Sequence, residues 1–329
     1  MEIGTVLEEY RSPSPPAGTS VFVEAIDRGW IRPFGQGQYL YGPEWTAIVR
    51  MLQERFIAQA QHLGFEEWIF PRLIPSAALD SFELTQYKPE LLLDARRSDS
   101  SYLDPVQCVS LYHSLRGQVL QVDDTPIRIV EALGGWTWRN EVTAELDGPY
   151  RAIEFNRVEH VYIGTADQVR ACRTAIRSSI CSVLQSLGLS WQVVVGAGCM
   201  DLPGIEQLRA SAITADDVPV QDIEVPIRGT LQEHRGRPAD FSTLQHSRVT
   251  GDGSMVLVPN DAFYVDTDEI AGCSVEGTHL PDQFGLESES GVPLWSGCCG
   301  VGLNRVVTAL LYQHGFESPS MRALSTRQQ

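Results

Sequence analysis

Ile48, Met51, Leu52, Phe56 and Leu63 recur at the spacing of one helix face, behind Pro43 at a first-turn position and ahead of Gly64 as a stop. They predict a helix over about 43–63. Thr165 and Gln168 form a capping box ahead of Val169, Cys172, Ile176, Ile180, Val183, Leu184 and Leu187, which share one helical face, and Gly188 closes that element. A last helix is expected from near Leu303 to Gly315. Between these, short apolar runs read as strands: YLDPVQCVSLY, PIRIVEAL, GGWTWRNE and AIEFNRVEHVYIG within 102–163, then Trp191–Val195, Val220–Ile227, Met255–Val258 and Phe263–Val265. FEEWIFPRLIP is apolar and β-branched but carries Pro71, which demotes it to an edge strand.

Residues 1–40 mix Pro, Ser and Gly and read as an irregular arm with one strand at Thr19–Ile26, leaving a single domain over 41–329. Strands clustered between a few helices, without strict strand and helix alternation, predict an α+β fold with an antiparallel sheet.

The chain has 329 residues, 43% of them hydrophobic and 20% charged, which supports a substantial core and excludes a disordered or coiled-coil protein. No stretch approaches the roughly 18 apolar residues of a membrane helix. No basic start followed by an apolar segment marks a secretory signal, so a cytoplasmic protein without membrane contact is expected. Seven cysteines lack the spacing of a disulfide framework. The net charge of −17 opposes a large polyanion footprint unless basic residues gather locally.

Trp138-Arg139-Asn140-Glu141 places an arginine and a glutamate on one strand face, where a guanidinium can fork onto a phosphate. Arg151 and Phe155, in RAIEF, return after a turn over Ala144 to Pro149, and the aromatic ring could stack on a base. GCCGVGLNR runs into the apolar helix, with Arg305 in its first turn, near an N-terminus that favours anions.

In order and spacing, the run holding Pro71, WRNE with RAIEF, and GVGLNR resemble the three motifs of the class II aminoacyl-tRNA synthetases. The resemblance implies an antiparallel sheet flanked by helices, a homodimer joined near Pro71, and activation of an amino acid with ATP and Mg2+. It assigns catalytic positions to Arg139, Glu141 and Arg305, and nucleotide contacts to Arg139, Glu141, Arg151, Phe155 and Arg305. Arg139 would meet the α-phosphate, Glu141 the adenine end and Arg151 the γ-phosphate. Phe155 would stack on adenine, and Arg305 would cover its other face and the terminal phosphate. Glu269 is a candidate for the nucleotide magnesium.

Cys108, Glu159 and Cys298 have the order and spacing of the Cys/Glu/Cys zinc site of the archaeal-type seryl-tRNA synthetases and the amino acid:carrier protein ligases. Two thiolates and a carboxylate leave one zinc position open for substrate. Cys299 could replace Cys298 by a one-residue slip.

Only about forty irregular residues precede the first helix, and with the acidic charge this favours the carrier-protein ligases, so no tRNA is expected. That branch implies a small amino acid of glycine or alanine type and an acyl or peptidyl carrier protein with a phosphopantetheine arm. Arg170, Arg173 and Arg177, on one side of the capped helix, would form the carrier's docking face. A small-molecule acceptor in secondary metabolism and a non-catalytic paralogue are the alternatives. Segment 199–296 departs from the ligase pattern, and the whole chain has one lysine, Lys88.

Overall fold

The computed structural model describes residues 1–13, 21–96, 100–140, 148–198, 203–226, 267–318 and 321, with the backbone of 245–249 and 255–259. Its centre is a nine-stranded sheet. The strands are β1 (Val6–Tyr10), β2 (Glu66–Glu67), β3 (Ile127–Glu131), β4 (Trp136–Trp138), β5 (Glu154–Gly164), β6 (Trp191–Val195), β7 (Val220–Pro226), β8 (Thr267–Ser274) and β9 (Trp295–Gly302). They lie in the order β1-β6-β7-β8-β9-β5-β3-β2, with β4 also paired to β5. Every pairing in the sheet is antiparallel except that of β2 with β3.

The helices are α1 (Val21–Asp27), α2 (Pro43–His62), α3 (Cys108–Leu115), α4 (Ala166–Ser186), α5 (Pro203–Ser211) and α6 (Leu303–His314), with shorter ones between them. α2, α4 and α6 lay Ile48, Phe56, Ile176, Leu184, Val306 and Leu310 on one face of the sheet, against Val158, Ile223 and Val301. The other face carries a second core in which Val109 and Tyr112 of α3 meet Val161, Ile163 and Val220.

The period of two along β5 separates the faces: Val158 and Tyr162 join the first core, Val161 and Ile163 the second. Glu159 therefore sits on the second face. The long central strand is buried almost throughout because sheet neighbours flank it and both faces are covered.

The capping box is present: Thr165 Oγ1 accepts from the Gln168 amide at 3.4 Å, and Gln168 Oε1 accepts from the Thr165 amide at 2.9 Å. Thr165→Ala is expected to lower the unfolding free energy by about 1 kcal/mol, read from the denaturant midpoint at constant slope.

Several segments differ from the sequence expectation, among them the antiparallel pair Ile31–Gly35 and Gln38–Tyr41 in the arm expected to be irregular. Val21–Asp27, overlapping the expected strand Thr19–Ile26, is helical, and its buried Val21 and Ala25 are one helical repeat apart. YLDPVQCVSLY divides into a strand at Ser101–Leu103 and α3, because a short run buried almost without interruption shows neither period and cannot be told apart as strand or helix by spacing. Val6–Tyr10, in the arm, pairs with β6 at the sheet edge. Met255–Pro259 is a strand as expected, whereas Phe263–Val265 lies outside the described residues.

Candidate active site

Arg139, Arg151, Phe155, Glu159, Glu269, Cys298 and Arg305 all line one cleft on the second face of the sheet. Arg139 follows β4. Its amide donates to Ile153 O at 2.8 Å, its Nε donates to Pro105 O at 3.0 Å, and its guanidinium lies 5.6 Å from the Phe155 ring. Arg305, in the first turn of α6, reaches across the cleft: Nη1 donates to Glu269 O at 2.7 Å and Nε to Tyr150 O at 3.2 Å. The Tyr150 ring lies 4.8 Å below its guanidinium. Glu141 lies outside the described residues, as does most of the turn after it.

Three elements deliver the cysteines and the carboxylate. Cys108 opens α3, Glu159 stands on β5, and Cys298 is on β9, which pairs with β5. Their ligand atoms all lie within 4.8 Å of one another. A tetrahedron built on zinc bond lengths has edges of roughly 3.5 to 3.8 Å, so side-chain adjustment of about an ångström closes the set.

Two observations fit this cluster to a cation. Glu159 is buried, and its Oε2 accepts no hydrogen bond among the described residues, although Arg157 Nη2 stands 3.2 Å away. At Gly300 a Cβ would fall 2.6 Å from that same oxygen, so the glycine keeps open the space in which the carboxylate sits. Burial pushes the Glu159 carboxyl above its usual range, against the pull of Arg157. The hydrogen bond to Cys108, then burial and the Glu276 carboxylate, hold the Cys298 thiol far up. A bound cation would reverse that preference, since the ligands must shed their protons to bind it.

Register also separates the two adjacent cysteines of β9. Cys299 faces the helices, its Sγ 2.7 Å from Sγ of Cys273 on β8, whereas Cys298 faces the cleft. The one-residue slip is excluded by the alternation of the strand.

Glu276 and Asp222 also line the cleft, and neither was singled out by motif. Glu276 is buried, with Oε1 accepting from Ser274 Oγ at 3.0 Å and from Cys298 Sγ at 3.5 Å. Burial, then Glu269 and Glu224, drive the Asp222 carboxyl well above its ordinary range. Polar side chains in the otherwise apolar runs CSVEG and VQDIEV were the available signal, but both lie in the segment whose pattern matched poorly.

The helix expected to present a basic face does not. Arg173 is fully buried and donates to Val218 O and Asp216 O, the latter at 2.8 Å. Arg177 is held by Gln221 at 2.8 Å and Glu8 at 3.4 Å, and Arg170 lies 4.7 Å over the Trp295 ring. These arginines tie the helix to the sheet.

Residues 87–314 match the model of the tRNA synthetase class II core domain (G, H, P, S and T). The chain belongs to this family. Among its relatives is the type-2 serine–tRNA ligase of Methanopyrus kandleri, 29% identical over 358 residues, covering 96% of this chain and 61% of the relative. That of Methanothermobacter thermautotrophicus is 26% identical, covering 90% and 57% respectively. Among solved structures, M. kandleri SerRS in complex with A. aeolicus tRNASec superposes with a TM-score of 0.76 at 26% identity, over 98% of this chain and 63% of that one. The cytoplasmic serine–tRNA ligase of Naegleria fowleri in complex with AMP has a TM-score of 0.71 at 11% identity, over 98% and 64%, a likeness of fold.

The chain spans about three fifths of the length of the curated relatives it matches. These relatives overturn the expectation of a carrier protein, of a glycine- or alanine-type substrate and of no tRNA: they are serine–tRNA ligases, and one solved neighbour holds a tRNA. The length argument carried no information on the acceptor, because the matched stretch leaves the remainder of those relatives uncovered. Nor does net charge decide it, since −17 is a sum over the chain, whereas Arg139, Arg151, Arg157 and Arg305 converge on one cleft. Among the described residues of this class II chain, no helix is long and apolar enough to cross a membrane.

Proposed function

We propose that this chain activates serine with ATP and transfers the seryl group to a tRNA, using a zinc ion to anchor the amino acid. The observation that supports this reading is the convergence of Cys108, Glu159 and Cys298 with Arg139, Phe155 and Arg305 in one cleft of a class II core. The serine–tRNA ligases to which the chain is similar supply the amino acid and the acceptor of the proposal.

In this reading Arg139, Arg151 and Arg305 grip the triphosphate, Phe155 stacks on adenine, and the Glu269 carboxylate takes the nucleotide's magnesium. Cys108, Glu159 and Cys298 hold the zinc. Bound there, zinc supplies a Lewis-acid anchor for the amino group of the amino acid. The serine carboxylate then attacks the α-phosphorus and pyrophosphate leaves with the bonding pair. Such a displacement needs alignment and neutralised charge more than proton transfer, which suits a cleft furnished with guanidinium groups. The adenylate is consumed when a tRNA terminal hydroxyl attacks its carbonyl carbon and AMP departs.

Amino-acid-dependent ATP:pyrophosphate exchange across the common amino acids, with zinc determined on the same sample, tests the first half. Serine-dependent exchange with about one zinc per chain is expected. Its absence from zinc-replete protein removes serine as the substrate. Exchange without charging of any tRNA removes the proposed acceptor and leaves the adenylation.

A further inference from the structure

Glu131 and Glu159 stand directly opposite each other on β3 and β5, and both are buried. Like charges so placed destabilise a sheet unless something separates and neutralises them. Here Gln107, the fully buried residue just before α3 and next to Cys108, lies between them. Its Oε1 accepts from Arg157 Nε at 2.6 Å, and its Nε2 donates to Glu131 Oε2. Arg157 Nη2 is in turn 3.2 Å from Glu159 Oε2. On the far side, Glu131 Oε1 accepts from the Phe70 amide at 2.6 Å and from Arg72, whose Nη1 donates to Asp104 at 2.9 Å.

Each carboxylate therefore has its own guanidinium, Arg72 for Glu131 and Arg157 for Glu159, and one neutral amide joins the two pairs. The order is forced. A carboxylate only accepts and a guanidinium only donates, so the side chain between Glu131 and Arg157 must donate on one side and accept on the other. A primary amide does both without adding charge.

We propose that Gln107 is a positioning residue of the metal site: it fixes Arg157, and through Arg157 turns the Glu159 carboxylate toward Cys108 and Cys298. This rests on the reading of those three residues as metal ligands. Without the amide, Arg157 is drawn from Glu159, and the carboxylate loses the contact that sets its direction. Buried partners that orient ligands in this way typically account for about 10- to 100-fold in metal affinity or activity.

The test uses the full chain with Zn2+ or Co2+ alone. Gln107→Met keeps the length of the side chain and deletes the amide. It should bind Zn2+ about 10- to 100-fold more weakly than wild type in a chelator competition and shift the visible bands of bound Co2+. The paired variant Q107E/E131Q reverses the donor and acceptor across the bridge at constant charge. In it the amide, now on β3, donates to the carboxylate that precedes α3, and that carboxylate accepts from Arg157. It should recover both the wild-type affinity and the wild-type cobalt spectrum.

A Met variant with unchanged affinity and spectrum overturns the proposal. So does a folded paired variant as impaired as the Met variant, because packing would then be the explanation. Should Gln107→Met not fold, the paired variant decides alone: wild-type binding supports the bridge, and a loss of tenfold or more on the scale of such positioning contacts removes it. Failure of the wild-type chain to bind either ion overturns the metal reading itself, and this one with it.

Discussion

Cys108→Ala is expected to emerge from chelator treatment and zinc reloading without bound metal, and to show no serine-dependent pyrophosphate exchange, while still binding ATP. Cys108 is fully buried at the start of α3 and supplies one of the three ligand atoms clustered within 4.8 Å. Zinc sites with an open position rest on three protein ligands, and the two that remain, Glu159 and Cys298, cannot define the fourth direction in which a substrate binds. Removing one small side chain from the end of a helix leaves the arginines and Phe155 untouched, since these come from the β4–β5 region and α6. Zinc content, exchange and ATP calorimetry on one preparation separate the possibilities. Metal-free protein that still exchanged would show the amino acid to be held by other means, and loss of ATP binding would mark a folding defect.

Arg139→Ala should cost about 2 to 4 kcal/mol of transition-state stabilisation, the scale for removing one preorganised charge-stabilising contact. This corresponds to roughly 30- to 1,000-fold in kcat/KM for exchange. Arg139 lines the cleft beside Phe155, and its backbone amide is held by Ile153 O at 2.8 Å. Because that backbone contact survives the substitution, the loss should fall on catalysis and leave the bound zinc in place. Unchanged exchange would withdraw Arg139 from the nucleotide site.

Much of the framework was legible. The face of α4 follows from Val169, Cys172, Ile176, Ile180 and Leu184, and its start from Thr165 and Gln168, because helix period and capping are local properties. α2 and α6 were marked by Pro43 and Gly315 in the same way. α1 and α3 were missed because their burial is decided by what packs against them. The carrier-docking face failed for a related reason. Arg173 is spaced like a surface residue, but its guanidinium satisfies carbonyls of a distant loop, and no local pattern announces that.

The cleft was legible in part as well. The arginines and ligand candidates were marked by motif order, while Gln107, Asp222 and Glu276 were not, because each has meaning only through partners far away in sequence.

The sequence alone determined the helix-forming faces, the alternation that sets Glu159 apart from its neighbours on β5, and the order of the motifs. These depend on spacing within one segment. Only the tertiary structure decided that Cys298 and not Cys299 joins Cys108, that Glu131 faces Glu159 across two strands, and that an amide stands between the glutamates. Sheet register is a compromise between segments far apart in the chain, and a shift of one residue would turn every side chain of a strand to the opposite face. Local composition is almost blind to that shift, whereas burial of two cores and the pairing of buried charges are not.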